Sequence, residues 1–119
     1  MTTDYIETYQ YLEERLTQLG AEIPGPMGGF ARLHKKATAD GALSQKTKEL
    51  MALAISIVVG CDGCTAYHVH DAVEAGATYP ELLETIGVGL MMGGGPGSIY
   101  AAHALEAVKQ FLPQENWNI

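Results

Sequence analysis

Apolar residues recur every three or four positions along most of the chain, which is the spacing of helices that bury one face. The first such segment runs over 5–19 and ends at Gly20. The glycine- and proline-rich stretch EIPGPMGG then predicts a break, after which a second helix is expected over 30–39. Ser44 can cap a third helix that continues through KELMALAISIVV, and Gly60 predicts its end.

Three more helices are predicted in the second half of the chain. One covers 62–75, with Gly76 as its C-terminal stop, and the next begins at Thr78 and Glu81, which have capping-box spacing. The residues expected to face inward on this fifth helix are Leu82, Leu83, Ile86 and Leu90. The stretch MMGGGPGS predicts another break, and a last helix follows over 99–112.

No stretch alternates polar and apolar residues with the period of a strand, so the sequence predicts an all-α fold. We expect one domain over 1–119, a helical bundle of about six helices, with a loose tail at 113–119. The second half of the third helix is apolar on every side, which predicts a buried central element. Five short neighbours would not cover all of that surface, so we also expect a homo-oligomer.

Composition and charge narrow the possible partners. The 119 residues carry a net charge of −7 and no basic run, which argues against binding to nucleic acid or to an anionic membrane surface. The N-terminus lacks the basic start and apolar run of a secretory signal. The longest apolar run, at 51–59, is far shorter than a membrane span, and we therefore expect a cytoplasmic protein.

The segment GCDGCTAYHVH at 60–70 contains both cysteines and two of the four histidines. Covalent haem attachment requires a histidine directly after the second cysteine, and Thr65 stands there instead. A zinc site would need ligands from a second segment, and on a helix His68 and His70 would point in nearly opposite directions. A site of two cysteines, His68 and water stays open as a weak alternative.

A redox-active pair of thiols fits the segment better. If a helix begins near Cys61, then Cys61, Cys64 and His68 share one face. A disulfide between residues three apart would require a distorted first turn, which Asp62-Gly63 could permit. The helix N-terminus favours a thiolate, and His68 is placed to exchange a proton with it. The alternative is that both cysteines are small buried apolar residues and His68 is an ordinary histidine.

Glu49 extends this pattern into the signature of a known family. The series of Glu49, eleven residues, Cys61, two residues, Cys64, three residues and His68 resembles the E-x11-C-x-x-C-x-x-x-H signature of the alkyl hydroperoxidase D-like proteins. These belong to the carboxymuconolactone decarboxylase superfamily. The segment from KTKELMALAISIVVG to AGATYPELLETI is similar to the family core, and the likeness extends over about 43–112.

The resemblance implies an all-α fold assembled as a trimer or hexamer, with thiol-dependent peroxidase or disulfide reductase activity. It implies that Cys64 attacks the peroxide, that Cys61 resolves the product, and that His68 and Glu49 form a proton relay. No metal, haem or flavin is required, and an external thiol reductant of lipoyl or thioredoxin type would restore the dithiol. An antioxidant role follows from the same resemblance.

Two other functions are compatible with the sequence. The decarboxylase branch of the superfamily acts on a small lactone and, as the resemblance implies, does not use the cysteine pair. A non-catalytic oligomer could use the pair as a redox sensor. Taken without the signature, Glu49 beside Lys46 and Lys48 is predicted to be solvated, and so is His34 beside Lys35 and Lys36. His70 and His103 are interpreted as surface or interface residues.

Overall fold

Five α-helices make up most of the chain in the computed structural model, which describes residues 2–117. They are α1 (Tyr5–Glu22), α2 (Pro24–Thr38), α3 (Gln45–Val59), α4 (Asp62–Glu74) and α5 (Tyr79–Phe111), followed by a short 3-10 helix (Gln114–Asn116). The described residues form no strand. The predicted all-α fold is confirmed, and the helix count differs from six because the last two predicted helices form one kinked element.

Side-chain oxygen atoms cap the start of three of the helices. The carboxylate of Asp4 accepts a hydrogen bond from the Glu7 amide at the start of α1, and the Ser44 hydroxyl accepts one from Thr47 at the start of α3. Thr78 and Glu81 form the predicted capping box of α5. Such caps satisfy amide groups that have no partner inside the helix, so short polar side chains fix helix starts locally.

The second helix begins earlier than the sequence predicts. EIPGPMGG was expected to break the chain up to Phe30, but α2 begins at Pro24 and includes most of this segment. Proline is tolerated in the first turn of a helix because the amide that it lacks would have no intrahelical partner there. No residue of α2 is buried, so this helix lies on the surface with Phe30 and Leu33 exposed.

A kink divides α5. Gly94 has φ 67° and ψ −151°, values that are open to glycine and strained for other residues. Pro96 follows in the next turn, so the predicted break at MMGGGPGS takes the form of a kink inside one element. The inward prediction holds for Leu82 and Ile86, whereas Leu83 and Leu90 are exposed.

The core lies where α3 packs against α4 and α5. Its buried apolar side chains come from all three helices and from the start of α1: Tyr5, Leu53, Ile57, Val69, Leu82, Ala104 and Val108. α3 buries one face in this core, and the expectation that its neighbours would leave part of its apolar surface uncovered is confirmed for the single chain. Its opposite face exposes Met51, Ile55, Val58 and Val59.

The end of the chain folds back on the helices as far as Trp117. The Trp117 indole donates a hydrogen bond to the Leu112 carbonyl and stacks with Tyr79, with ring centroids 6.3 Å apart. The expected loose tail is therefore ordered at 113–117, because the indole finds both an acceptor and an aromatic neighbour; Asn118 and Ile119 lie outside the described residues. Within 2–117, no helix has the length and apolar character that crossing a membrane requires.

Candidate redox site

The two cysteines lie at the junction of α3 and α4 and are joined in a disulfide. Gly60 ends α3 with φ 71°, a left-handed conformation that turns the chain directly into α4. Cys61 is the N-cap of α4, and its sulfur accepts a hydrogen bond from the Cys64 amide at 3.1 Å. The disulfide thus closes around the first turn of a helix, where the backbone amides favour negative charge.

The expected distortion of this first turn does not occur. Cys61 lies outside the helix in an extended conformation, with φ −117° and ψ 99°, and the Cα atoms of the pair are 5.2 Å apart. An N-cap residue is free of helical geometry, so the bridge needs no help from an unusual glycine. Gly63 matters for its size instead, because a Cβ atom there would lie 3.1 Å from the Leu12 side chain of α1.

Glu49 and His68 form a hydrogen-bonded pair behind the disulfide. The Nδ1 atom of His68 lies 3.0 Å from Oε2 of Glu49, and the Glu49 side chain is only 1% exposed. The solvated position expected for Glu49 from its neighbours alone is wrong. Lys46 pairs with Glu81 and Lys48 donates to the Ala39 carbonyl, so both lysines point away from it.

An open cavity of about 820 Å³ lies over the disulfide, a volume within the range of small-molecule sites. It is bounded by α1, α2 and α4, and Cys61, Cys64 and His68 all line it. Its apolar wall comes from the two N-terminal helices through Leu12, Leu16, Met27 and Phe30. The structure therefore brings both cysteines and the predicted histidine to one accessible surface, with Glu49 behind His68.

Tyr67 forms part of the same wall. Its hydroxyl donates to the carboxylate of Glu13 on α1, and burial together with this bond raises the pKa of Tyr67 well above its usual range. The phenol is consequently neutral at physiological pH and ties α1 to α4. Sequence analysis missed this contact, since nothing local relates residues 13 and 67.

The remaining histidines are placed by side-chain partners. His70 stacks on Tyr9 with ring centroids 4.0 Å apart and bonds to Asp71, while His103 bonds to Asp62 on α4. Neither belongs to a zinc site with the cysteines, whose sulfurs are bonded to each other. His34 is exposed, as expected, but its ring lies 6.5 Å from that of His68 and it lines the cavity.

The chain thus has an all-α fold with a disulfide at a helix N-terminus and a cavity-lining histidine paired with a buried glutamate. Comparison with known proteins identifies the family of this arrangement. The sequence pattern of the Carboxymuconolactone decarboxylase family matches residues 24–107. The chain belongs to this family, as the predicted resemblance implied. The match begins in α2, earlier than the core expected at 43–112.

Individual relatives agree with this assignment. The chain is 38% identical over 105 residues to an uncharacterized protein of Cupriavidus necator, covering 88% of this chain and 93% of that one. Its fold is similar to the crystal structure of a carboxymuconolactone decarboxylase family protein from Legionella pneumophila, with a TM-score of 0.87, 42% identity and coverage of 92% and 97%. A structure from Thermotoga maritima gives a TM-score of 0.73 at 29% identity, covering 89% and 90%.

Proposed function

We propose that the protein is a thiol-dependent oxidoreductase that reduces peroxides or small disulfides through Cys61 and Cys64. The observation that carries the proposal is the disulfide at the N-terminus of α4, open to a cavity and backed by the His68–Glu49 pair. A purely structural disulfide needs neither a cavity nor a histidine paired with a buried carboxylate beside it. Family membership supports the same reading through the signature that Glu49, Cys61, Cys64 and His68 complete.

In the proposed peroxide reaction, His68 accepts the thiol proton of Cys64, and the thiolate attacks one peroxide oxygen. The oxygen–oxygen bond breaks, leaving a sulfenic acid on Cys64 and an alkoxide or hydroxide that takes up the proton as alcohol or water. The Cys61 thiol then displaces the sulfenic oxygen as water and forms the disulfide. Glu49 stabilises the protonated imidazole during the first step, since its carboxylate accepts from Nδ1.

Reduction completes the cycle. A thiolate of an external reductant, of lipoyl or thioredoxin type, attacks the Cys64 sulfur and forms a mixed disulfide with it, releasing Cys61 as a thiolate. The Cys64 amide that bonds the Cys61 sulfur stabilises this leaving group, and a more stable thiolate leaves faster. A second thiol of the reductant then attacks the mixed disulfide and releases Cys64 as a thiol. The reductant leaves as a disulfide, so it has supplied the two electrons that restore the dithiol.

We also propose that the protein works as a homo-oligomer in the cytoplasm. The exposed faces of α3 and α5 carry eight large apolar side chains, namely Met51, Ile55, Val58, Val59, Val88, Met91, Met92 and Ile99. Exposed apolar surface on this scale is typical of protein–protein interfaces. A trimer or hexamer is the assembly that the family resemblance implies.

Peroxide consumption by the reduced protein tests the proposal. Wild type should consume peroxide repeatedly when dithiothreitol is present, Cys64→Ser should consume none, and Cys61→Ser should accumulate a sulfenic acid on Cys64. A redox sensor would oxidise once without turning over, and a lactone decarboxylase would keep its activity after alkylation of both thiols. If both serine variants consume peroxide as fast as wild type, the assignment is wrong.

A further inference from the structure

Three side chains from three helices converge at the edge of the cavity. They are His34 of α2, Glu49 of α3 and Asp71 of α4, and one nitrogen and two carboxylate oxygens lie within 4.8 Å of one another. We propose that this cluster binds a divalent transition-metal ion, with Zn²⁺ as the representative ion. This site is distinct from the cysteine pair and does not depend on the proposed redox function.

The charges of the cluster favour a cation. Glu49 and Asp71 bring two carboxylates close together, and among the described residues no lysine or arginine lies within ion-pair distance of either. Glu49 is 1% exposed, so water cannot screen its charge effectively. The side chains that do face the two carboxylates are the imidazoles of His68 and His70, which carry a positive charge only when they are protonated.

Each carboxylate also has a free oxygen to offer. Within residues 2–117, the hydrogen bonds of the two side chains occupy Oε2 of Glu49, which faces His68, and Oδ1 of Asp71, which faces His70. The second oxygen of each has no hydrogen-bond partner in the same range. Metal-ligating carboxylates are typically held by outer hydrogen bonds of this kind, which fix their orientation.

The donor set selects the class of ion. One imidazole nitrogen with two carboxylate oxygens suits Zn²⁺, Mn²⁺ or Fe²⁺ better than Mg²⁺, which prefers oxygen ligands and keeps most of its water. Three protein ligands leave the fourth coordination position to water, as in catalytic zinc sites. That open position would face the cavity, where an oxygen atom of a bound molecule could replace the water.

Binding requires a small closure of the cluster. Ligands of a tetrahedral zinc ion, each about 2.1 Å from the metal, lie roughly 3.4 Å apart. His34 is the residue able to move, because it is exposed and α2 buries none of its residues. An ion held in this way would link α2 to α3 and α4, and it would bind the second oxygen of the Glu49 carboxylate whose Oε2 faces His68.

Calorimetric titration of the oxidised protein with zinc chloride tests the site. The disulfide form is used because its sulfurs are bonded to each other and cannot act as thiolate ligands. We expect a single ion per chain and a higher melting temperature with zinc. His34→Ala and Asp71→Asn should abolish both effects, whereas His68→Ala, which removes an outer hydrogen bond, should weaken binding about 10–100-fold.

His103→Ala is the matched control, since it removes a histidine from a different histidine–carboxylate pair and should bind zinc like wild type. His34 is exposed, so its replacement by Gln as well as by Ala should leave the fold intact, and circular dichroism verifies this for every variant. The site does not exist if oxidised wild type binds no zinc, if His34→Ala and Asp71→Asn bind as tightly as wild type, or if Mg²⁺ binds equally well. None of these measurements uses peroxide, so they leave the redox proposal untouched.

Discussion

Replacing Glu49 by glutamine tests the proton relay with little change of shape. The glutamine amide can still bond Nδ1 of His68 across the 3.0 Å contact, but the negative charge is lost. A hydrogen bond to a charged group contributes about 1.5–3 kcal/mol and a neutral one about 0.5–1.5 kcal/mol. The difference, about 1–1.5 kcal/mol, acts on the protonated imidazole formed as the thiol ionises, so oxidation by peroxide should slow roughly tenfold.

The rate constant is measured by mixing reduced protein with excess peroxide, quenching with a thiol-alkylating reagent at set times and counting the alkylated thiols, which are those not yet oxidised, by mass spectrometry. Glu84→Gln, an exposed carboxylate on α5, is the matched control and should react like wild type. The relay is refuted if folded Glu49→Gln oxidises at the wild-type rate, or if Glu84→Gln slows by the same factor.

Four further predictions concern stability and assembly. Gly60→Ala should lower the free energy of unfolding, measured in urea, by about 1–2 kcal/mol or more. The reason is that φ is 71° and that the new Cβ atom would lie 3.0 Å from the Tyr100 ring. An unchanged urea midpoint would contradict this. Thr78→Ala should lower it by about 1 kcal/mol through loss of the α5 cap. The backbone hydrogen bond from Thr78 and the contact with Lys46 lower the pKa of Glu81. Glu81→Gln should therefore destabilise the fold at pH 7, and this loss should disappear as the pH falls below the ordinary pKa of glutamate. A loss of stability that grows in acid would contradict this prediction. Ile55→Glu, on the exposed face of α3, should reduce the assembly to smaller species in light scattering, and an unchanged mass would exclude that face from the interface.

Helix ends were predictable because the interactions that set them are local. Ser44, Gly60 and the Thr78–Glu81 box each act within a few residues of their own position, so the starts of α3 and α5 and the end of α3 follow from sequence. The start of α2 was not predicted, because proline and glycine break a chain in most contexts and the first turn of a helix is the exception.

Sequence predicted the part of the candidate site whose residues lie close together along the chain, but not the contacts between different helices. The spacing of Cys61, Cys64 and His68 placed them together because all three belong to one helix and its cap. The burial of Glu49 depends on how α3 packs against α4, and the approach of His34 depends on where α2 lies. No local pattern encodes these contacts, so the buried Glu49 and the cavity-lining His34 both resembled solvated positions.

The most direct test of the central claim is the reduction potential of the Cys61–Cys64 pair, measured by equilibration in dithiothreitol or glutathione buffers. A working pair whose released thiolate is stabilised at a helix N-terminus should have a potential between about −120 and −270 mV, the range of thiol oxidoreductases. A potential below about −300 mV would mark the bond as a structural disulfide and contradict the account.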